Sequence, residues 1–62
     1  MKKRHEVTVS NIGSVIVTDD REQGERVFDQ YMADSLNGLG RAAGESVHLW
    51  EDMIILREYP GP

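Results

Sequence analysis

The sequence predicts an α+β domain with the element order ββαββ: a four-stranded, mainly antiparallel sheet with one helix packed on one face. Three observations predict it. Valines alternate with polar residues in two segments near the N-terminus, apolar residues recur at helical spacing in the middle, and two further apolar segments follow a glycine-rich loop. Alternation with a period of two is typical of half-buried strands, and the longer period is typical of a helix. Two hairpins joined by a helix are the simplest arrangement of these elements.

The first two strands are predicted at 5–10 and 14–18, where the valines alternate. Asn11 and Gly13 between them are turn residues, so the two strands should form a hairpin. Ile16 lies out of phase with the valines on either side of it. We therefore expect the valines to face the helix, and Ile16 to lie on the face of the sheet that has no helix, called the open face below.

A helix is predicted from about residue 20 to residue 37. Its N-terminal cap can form in two registers, Asp19 with Glu22 or Asp20 with Gln23, and the sequence leaves both open. In either register the acids lie at the positive end of the helix dipole.

One stripe of this helix is predicted to be buried against the sheet. Its apolar members are Val27, Phe28, Tyr31, Met32 and Leu36. Two small residues fall in the same stripe. Gly24 should allow close packing of helix on sheet, while Ser35 either bonds the helix carbonyl four residues back or points into the next loop as a ligand donor.

Gly38 is predicted to end the helix in the left-handed conformation, with Leu39 making the hydrophobic contact that closes the motif. A third strand is predicted at 46–51 and, after a tight turn, a fourth at 53–59, which a Pro-Gly-Pro sequence ends. The first residues of the fourth strand are apolar without alternation. This strand should therefore present apolar side chains on both of its faces.

The 62-residue chain is predicted to form one domain over residues 1–62, with frayed ends at 1–4 and 60–62. A chain of this length buries only about 60 % of its unfolded surface, so its core is small. It has no cysteine for a disulfide, and His5 and His48 lack metal-ligand spacing. We expect no metal and no cofactor, and we expect self-association to enlarge the core.

The net charge of −4 argues against broad phosphate-backbone binding, which needs a basic face. The basic run at residues 2–4 is most simply a solvated terminus, and a nucleic-acid-binding arm is the alternative. No apolar stretch approaches the ~20 residues that span a bilayer. No apolar segment follows the basic run as it would in a signal peptide. We expect a cytoplasmic protein without membrane contacts.

The glycine-rich loop after the helix is the candidate site, with three of the six glycines placed within seven residues. The residues predicted to bind there are Ser35, Gly38, Gly40, Arg41, Gly44 and Glu45. The loop can be only a connector, or it can hold a small anion such as a nucleotide through its amides and Arg41, or it can dock on another protein. Glu45 either pairs with Arg41 or begins the next strand. Because the loop follows a helix, the helix dipole does not assist anion binding.

The open face of the sheet is the second candidate surface, because one helix covers only one face. We expect it to carry Ile16, His48 and Trp50 with one apolar set of the last strand, either Ile54 with Leu56 or Met53 with Ile55. An exposed apolar patch is typical of an interaction surface, and aromatic residues are typical of interface centres. The predicted homodimer interface contains Ile16, His48, Trp50, Ile54 and Leu56.

Catalysis finds little support in the sequence. There is no cysteine, and the serines lie in no nucleophile-elbow context. The paired acids Asp19-Asp20 and Glu51-Asp52 are explained by a helix cap and a turn, without acid–base work. We therefore expect no enzyme and no catalytic residue.

A pattern from Phe28 to Leu49 carries a resemblance. It reads Phe-x-x-Tyr-x-x-x-Ser-x-x-Gly-x-Gly-Arg-Ala-Ala-Gly-Glu-x-Val-x-Leu. The chain resembles short uncharacterised proteins of phages, prophages and plasmids over roughly residues 7–59. The resemblance transfers no catalytic residue. It implies a small binding protein of mobile-element origin, with host proteins, nucleotide signals or nucleic acid as targets.

These observations together predict a small, non-enzymatic binding module. It should dimerise through the open face and recognise a partner or an anionic ligand through the loop at 38–45. A nucleotide-binding or sequestering protein is the first alternative. A nucleic-acid-binding accessory protein that uses the basic N-terminus is the second.

Overall fold

The computed structural model describes residues 3–62 and confirms the α+β class and the order ββαββ. The bounds are β1 (His5–Val9), β2 (Gly13–Thr18), α1 (Arg21–Asn37), a short 3-10 helix (Gly40–Ala42), β3 (Val47–Glu51) and β4 (Ile54–Tyr59). All neighbouring strands are antiparallel, in the order β2-β1-β3-β4. Each hairpin therefore contributes one inner and one outer strand. Residues 1–2, which belong to the end predicted to be frayed, lie outside the described residues.

A side-chain cap defines the first end of α1, and backbone hydrogen bonds define the last. Asp20 is the N-cap, and its Oδ1 accepts the amides of Glu22 at 3.0 Å and Gln23 at 3.3 Å. Of the two cap registers, the structure therefore has the second. At the other end Gly38 has a φ of 68°, and the amide of Leu39 donates to the carbonyl of Asp34 at 2.8 Å. This is the left-handed helix end predicted for Gly38.

The core lies between α1 and the two inner strands. Its buried apolar residues are Val7, Val9, Phe28, Ala42, Val47 and Leu49. Gly24 and Ser35 are also buried, as the helical stripe predicted. The prediction for Leu36 is wrong, because its side chain is 62 % exposed.

Close contact of α1 with the inner strands depends on Gly24. A Cβ atom at this position would lie 3.3 Å from Cδ1 of Leu49 and 3.4 Å from Cβ of His5. The helix backbone therefore rests almost directly on side chains of β3 and β1. This contact is possible because glycine has no side chain.

A β-bulge in β2 reverses the predicted facing of two of its residues. Val7 pairs with Ile16 while the next residue, Thr8, pairs with Ser14, so Val15 is an extra residue. Side chains directly opposite each other share a face of the sheet. Ile16 therefore lies on the helix side with buried Val7, and the prediction that it lies on the open face is wrong. Val17, expected under the helix, lies on the open face instead.

A second bulge in β4 has the corresponding effect on the last strand. Leu49 pairs with Arg57 and Trp50 pairs with Ile55, which leaves Leu56 as the extra residue. Leu56 packs against the core, so its predicted place on the open face is wrong. Ile54 pairs with Glu51, which faces the helix side opposite His5, so its predicted place is wrong as well. Ile55 is the apolar residue of this strand on the open face.

The tight contact at Gly24 generates a stability prediction. The substitution Gly24→Leu should lower the free energy of unfolding by about 1–3 kcal/mol, because the added side chain has no space above the sheet. The control Ala33→Leu adds a larger side chain at an exposed position of α1 and should change it by no more than about 0.5 kcal/mol. Urea unfolding followed by circular dichroism measures both. Equal values for the two variants would contradict the packing described here.

Candidate functional site

The open face carries two rows of side chains that cross all four strands. One row, in strand order, is Val17, Glu6, Trp50 and Ile55, and the other is Ser14, Thr8, His48 and Glu58. The first row is apolar except for its glutamate. Val17 is 52 % and Ile55 is 45 % exposed, so apolar groups reach solvent at both ends of this row.

Hydrogen bonds hold the aromatic side chains of the open face in place. Trp50 Nε1 donates to Thr8 Oγ1 at 3.0 Å. The ring centroids of Trp50 and His48 are 6.2 Å apart, and His48 Nε2 lies 3.1 Å from a carboxylate oxygen of Glu58. His48 and Trp50 are thus the two predicted interface residues that the structure places together on this face.

The outer edges of the sheet are poor places for another strand to pair. Both outer strands, β2 and β4, contain a bulge. A bulge bends its strand and disturbs the regular ladder of hydrogen-bonding groups, and natural proteins use it to discourage edge-to-edge pairing. The face of the sheet is therefore a better contact surface than its edges.

The predicted loop site is tied to the helix end through Ser35. The buried Ser35 hydroxyl donates to the carbonyl of Glu45 at 2.6 Å, and its own carbonyl accepts the amides of Gly38 and Gly44. The Ser35 hydroxyl therefore bonds a loop carbonyl and not the helix carbonyl four residues back. These hydrogen bonds hold both ends of the loop against the end of α1. Gly44, whose amide donates to the Ser35 carbonyl, has a φ of 76°.

The rest of the loop is also anchored, except for one side chain. Ala42 is buried, and Asn11 Nδ2 donates to the Arg41 carbonyl at 2.8 Å. Glu45 accepts a hydrogen bond from Ser10 Oγ at 2.9 Å rather than pairing with Arg41. The Arg41 side chain is exposed, and its guanidinium makes no hydrogen bond or ion pair with any residue from 3 to 62.

A polar cluster connects β4 to α1 on the helix side. Arg57 Nη1 lies 2.6 Å from Glu25 Oε1 and 3.0 Å from Asp29 Oδ1, and its guanidinium stacks 4.4 Å from the centre of the Phe28 ring. The hydrogen bond from Arg57 lowers the pKa of Glu25, and the same bond raises the pKa of Arg57. The guanidinium of Arg57 thus covers the Phe28 ring at the edge of the core.

A second cluster surrounds His5 at the other end of the sheet. Its Nε2 lies 3.0 Å from Glu51 Oε2, and Lys3 reaches the other oxygen of that carboxylate at 3.2 Å. The hydrogen bonds with His5 and then Lys3 lower the pKa of Glu51. His5 Nδ1 is buried without a hydrogen-bond partner among the described residues. A proton on Nε2 therefore fits the geometry better than one on Nδ1, which would be a buried donor without an acceptor.

Comparisons with known proteins add no functional assignment. The chain matches no protein-family model, no curated protein and no solved structure. Within residues 3–62, no three histidine, cysteine, aspartate or glutamate side chains are placed to hold a metal ion. None of the helices described here is long and apolar enough to cross a membrane.

Sequence reasoning missed Val17 and Glu6 as open-face neighbours of Trp50, and it named Ile55 only in the alternative apolar set of the last strand. It also missed Arg57 as the link between β4 and α1. The facing of Val17 and Ile55 depends on two bulges that have no marker in the sequence. Arg57 did carry a signal, because it is a charged residue that directly follows the apolar run at 53–56.

The loop contacts predict that one substitution lowers the stability of the fold and that another leaves it almost unchanged. Ser35→Ala should lower the free energy of unfolding by about 1–3 kcal/mol, because it leaves a part-buried carbonyl without its hydrogen bond. Arg41→Ala should change it by no more than about 0.5 kcal/mol, because the guanidinium is exposed and unpaired. Thermal unfolding of both variants beside wild type tests this pair. An Arg41 variant that melts well below the Ser35 variant would show that the loop is held differently.

The Glu25–Arg57 pair predicts a pH-dependent stability. Because the folded-state pKa of Glu25 lies below its ordinary 4.5, the pair stabilises the fold above that pH, and the contribution is lost as pH falls through the lowered value. Glu25→Gln should therefore be less stable than wild type at about pH 7, and the difference should shrink by about pH 2.5. Urea unfolding at both pH values measures it. A constant difference would contradict the assignment.

Proposed function

We propose that this chain is a non-enzymatic protein-binding module that forms a homodimer through the open face of its sheet. The observation that supports the proposal best is the apolar row in which the half-buried Trp50 lies beside exposed Ile55, with exposed Val17 at the other end. Tryptophan is among the residues that contribute most to interfaces when it lies at their centre. Covering such a row adds relatively more stability to a small domain than to a large one, because the core of a small domain buries less apolar surface.

The charges of the open face are compatible with self-association. Glu6, which interrupts the apolar row, lies 3.3 Å from Arg4. Glu58 lies beside His48 in the second row. The carboxylate of Glu6 thus has a cationic partner on its own chain, and that of Glu58 lies within hydrogen-bond distance of His48. Two copies of the face can approach with less repulsion than the net charge of −4 alone would impose.

Recognition of an anion by the loop is a second candidate function, and it is supported by the exposed, unpaired guanidinium of Arg41. An arginine can donate two hydrogen bonds to a phosphate or carboxylate. Thermal shift in the presence of nucleoside triphosphates tests the candidate. Arg41→Ala should abolish the stabilisation, whereas Arg26→Ala, an exposed arginine on α1, should preserve it. No stabilisation of wild type would refute it.

The proposed homodimer interface predicts that the mass of the protein in solution depends on Trp50. Light scattering at tens of micromolar should give about twice the 7.0 kDa chain mass for wild type. Trp50→Glu should give the single-chain mass, because a buried, unpaired carboxylate is costly in an interface. Trp50 is the only tryptophan, so dilution of wild type into the monomer range should shift its fluorescence to longer wavelength as it becomes hydrated.

Two further variants separate loss of the interface from loss of the fold. Ile55→Glu changes an exposed neighbour of Trp50 and should also give a monomer with an unchanged circular dichroism spectrum. Leu39→Glu makes the same kind of change at an exposed residue of the loop and should stay dimeric. A monomeric wild type, or a dimer that survives both open-face substitutions, refutes the proposal.

A further inference from the structure

A histidine and a glutamate lie side by side on the open face, on the neighbouring strands β3 and β4. His48 and Glu58 are directly opposite each other in the sheet, and His48 Nε2 lies 3.1 Å from Glu58 Oε2. Their side chains are 22 % and 58 % exposed, so solvent reaches both. The ring of His48 also lies beside that of Trp50, with the two centroids 6.2 Å apart. The charge of the His48–Glu58 pair is therefore placed within the proposed homodimer interface.

The other charged groups near His48 already have partners on their own chain. On β1, the charged residue of the two rows is Glu6, whose carboxylate lies 3.3 Å from Arg4. The loop before β3 contributes Glu45, which accepts a hydrogen bond from Ser10 Oγ at 2.9 Å. The β2 members of the two rows carry no charge, and α1 packs on the other face of the sheet. The histidine is therefore the group whose protonation sets the charge balance of the two rows.

Protonation of His48 changes that balance from negative to neutral. With a neutral imidazole, the carboxylate of Glu58 has a hydrogen bond but no opposite charge, while Glu6 is balanced by Arg4. The two rows then carry an excess negative charge. An imidazolium at His48 balances Glu58, and the excess disappears. Histidine is the side chain that ordinarily changes its charge between about pH 5 and 8, so the balance of this face responds to moderate changes of pH.

We propose that protonation of His48 strengthens the homodimer, so that the open face is a pH-sensitive interface. This inference rests on the homodimer proposed above. In a two-fold dimer the same surface of each copy meets itself, so an excess charge on the face meets an equal charge of the same sign. Like charges brought together in this way weaken association. Removal of the excess by protonation therefore favours the dimer, and by linkage dimer formation favours the protonated histidine.

Desolvation acts in the same direction as this repulsion. Covering Glu58 beside a neutral histidine takes a carboxylate charge out of water without an opposite charge, which costs more than covering an imidazolium–carboxylate pair. Because Glu58 is largely exposed on an outer strand, the protonated pair lies toward the rim of the face and keeps part of its hydration. Both effects therefore predict a tighter dimer at lower pH.

The dissociation constant of the dimer at two pH values tests the proposal. Sedimentation equilibrium of wild type should give a constant at least about fivefold lower at about pH 5.5 than at about pH 8. His48→Gln keeps a hydrogen-bonding side chain that does not titrate, and its constant should change by less than about twofold over this range. The variant keeps His5, the other histidine of the chain. A pH dependence as large as that of wild type in His48→Gln would therefore refute the role of His48.

A matched pair of glutamate variants tests the charge balance itself. In Glu58→Gln, protonation of His48 adds an unbalanced positive charge to the face, so the dimer should weaken as the pH falls. Glu22→Gln changes the net charge of the chain equally at an exposed position of α1, and its dimer should tighten as the pH falls, as that of wild type does. The same direction in both variants refutes the proposed pairing of His48 with Glu58.

Failure of the homodimer and failure of its pH dependence give different results. A wild type that stays monomeric at both pH values refutes the homodimer and this inference together. A wild-type dimer whose dissociation constant is the same at both pH values, or rises as the pH falls, refutes the pH dependence and leaves the homodimer standing.

Discussion

The rest of this structure depends on one constraint: a single helix is narrower than the four-stranded sheet it covers. A helix with its side chains is about 10 Å wide, while three spacings between strands already amount to about 14 Å. The distribution of buried residues among the four strands follows from this difference in width. The fully buried strand residues all lie in the inner strands β1 and β3, and neither outer strand has one. Gly24 brings the helix close to the inner pair, and Arg57 covers the side of Phe28 that the helix leaves open.

The same constraint explains why the sheet exposes apolar groups in two different places. Residues 3–62 place no second layer on the open face, so Val17 and Ile55 reach solvent at the two ends of the row that contains Trp50. On the helix side, the layer is too narrow to reach the far half of β4. Ile54 of β4 is therefore 67 % exposed on that side of the sheet.

Much of the fold could be predicted from the sequence because local patterns determine it. Alternating valines, an aspartate cap and Gly38 located the elements to within a residue or two. The facing of Ile16, Val17, Ile54 and Leu56 could not be predicted, because one extra residue in a strand shifts the alternation for every residue beyond it. Whether the chain accommodates that residue as a bulge depends on packing against the neighbouring strand, which the alternation of one strand does not reveal.

The candidate site was predictable only in its outline. The concentration of glycines correctly indicated unusual backbone geometry, because Gly38, Gly40 and Gly44 all have positive φ. The contacts that this backbone geometry allows depend on the path of the loop in the folded chain. It returns to the end of α1, where Ser35 satisfies its carbonyl and amide groups, so most of the predicted binding residues have structural partners. Arg41 is the residue whose side chain has none of these partners.

The pairing of β1 with β3 has a consequence for the order in which the chain folds. Each hairpin and the helix involve residues close in sequence, whereas the central pair joins Val7 to Leu49. Closing so long a segment costs more chain entropy than closing either hairpin turn, and non-local contacts of this kind slow folding. Both hairpins and α1 can form early, but none of them buries a core alone. The chain therefore gains its core only when the two inner strands meet under the helix.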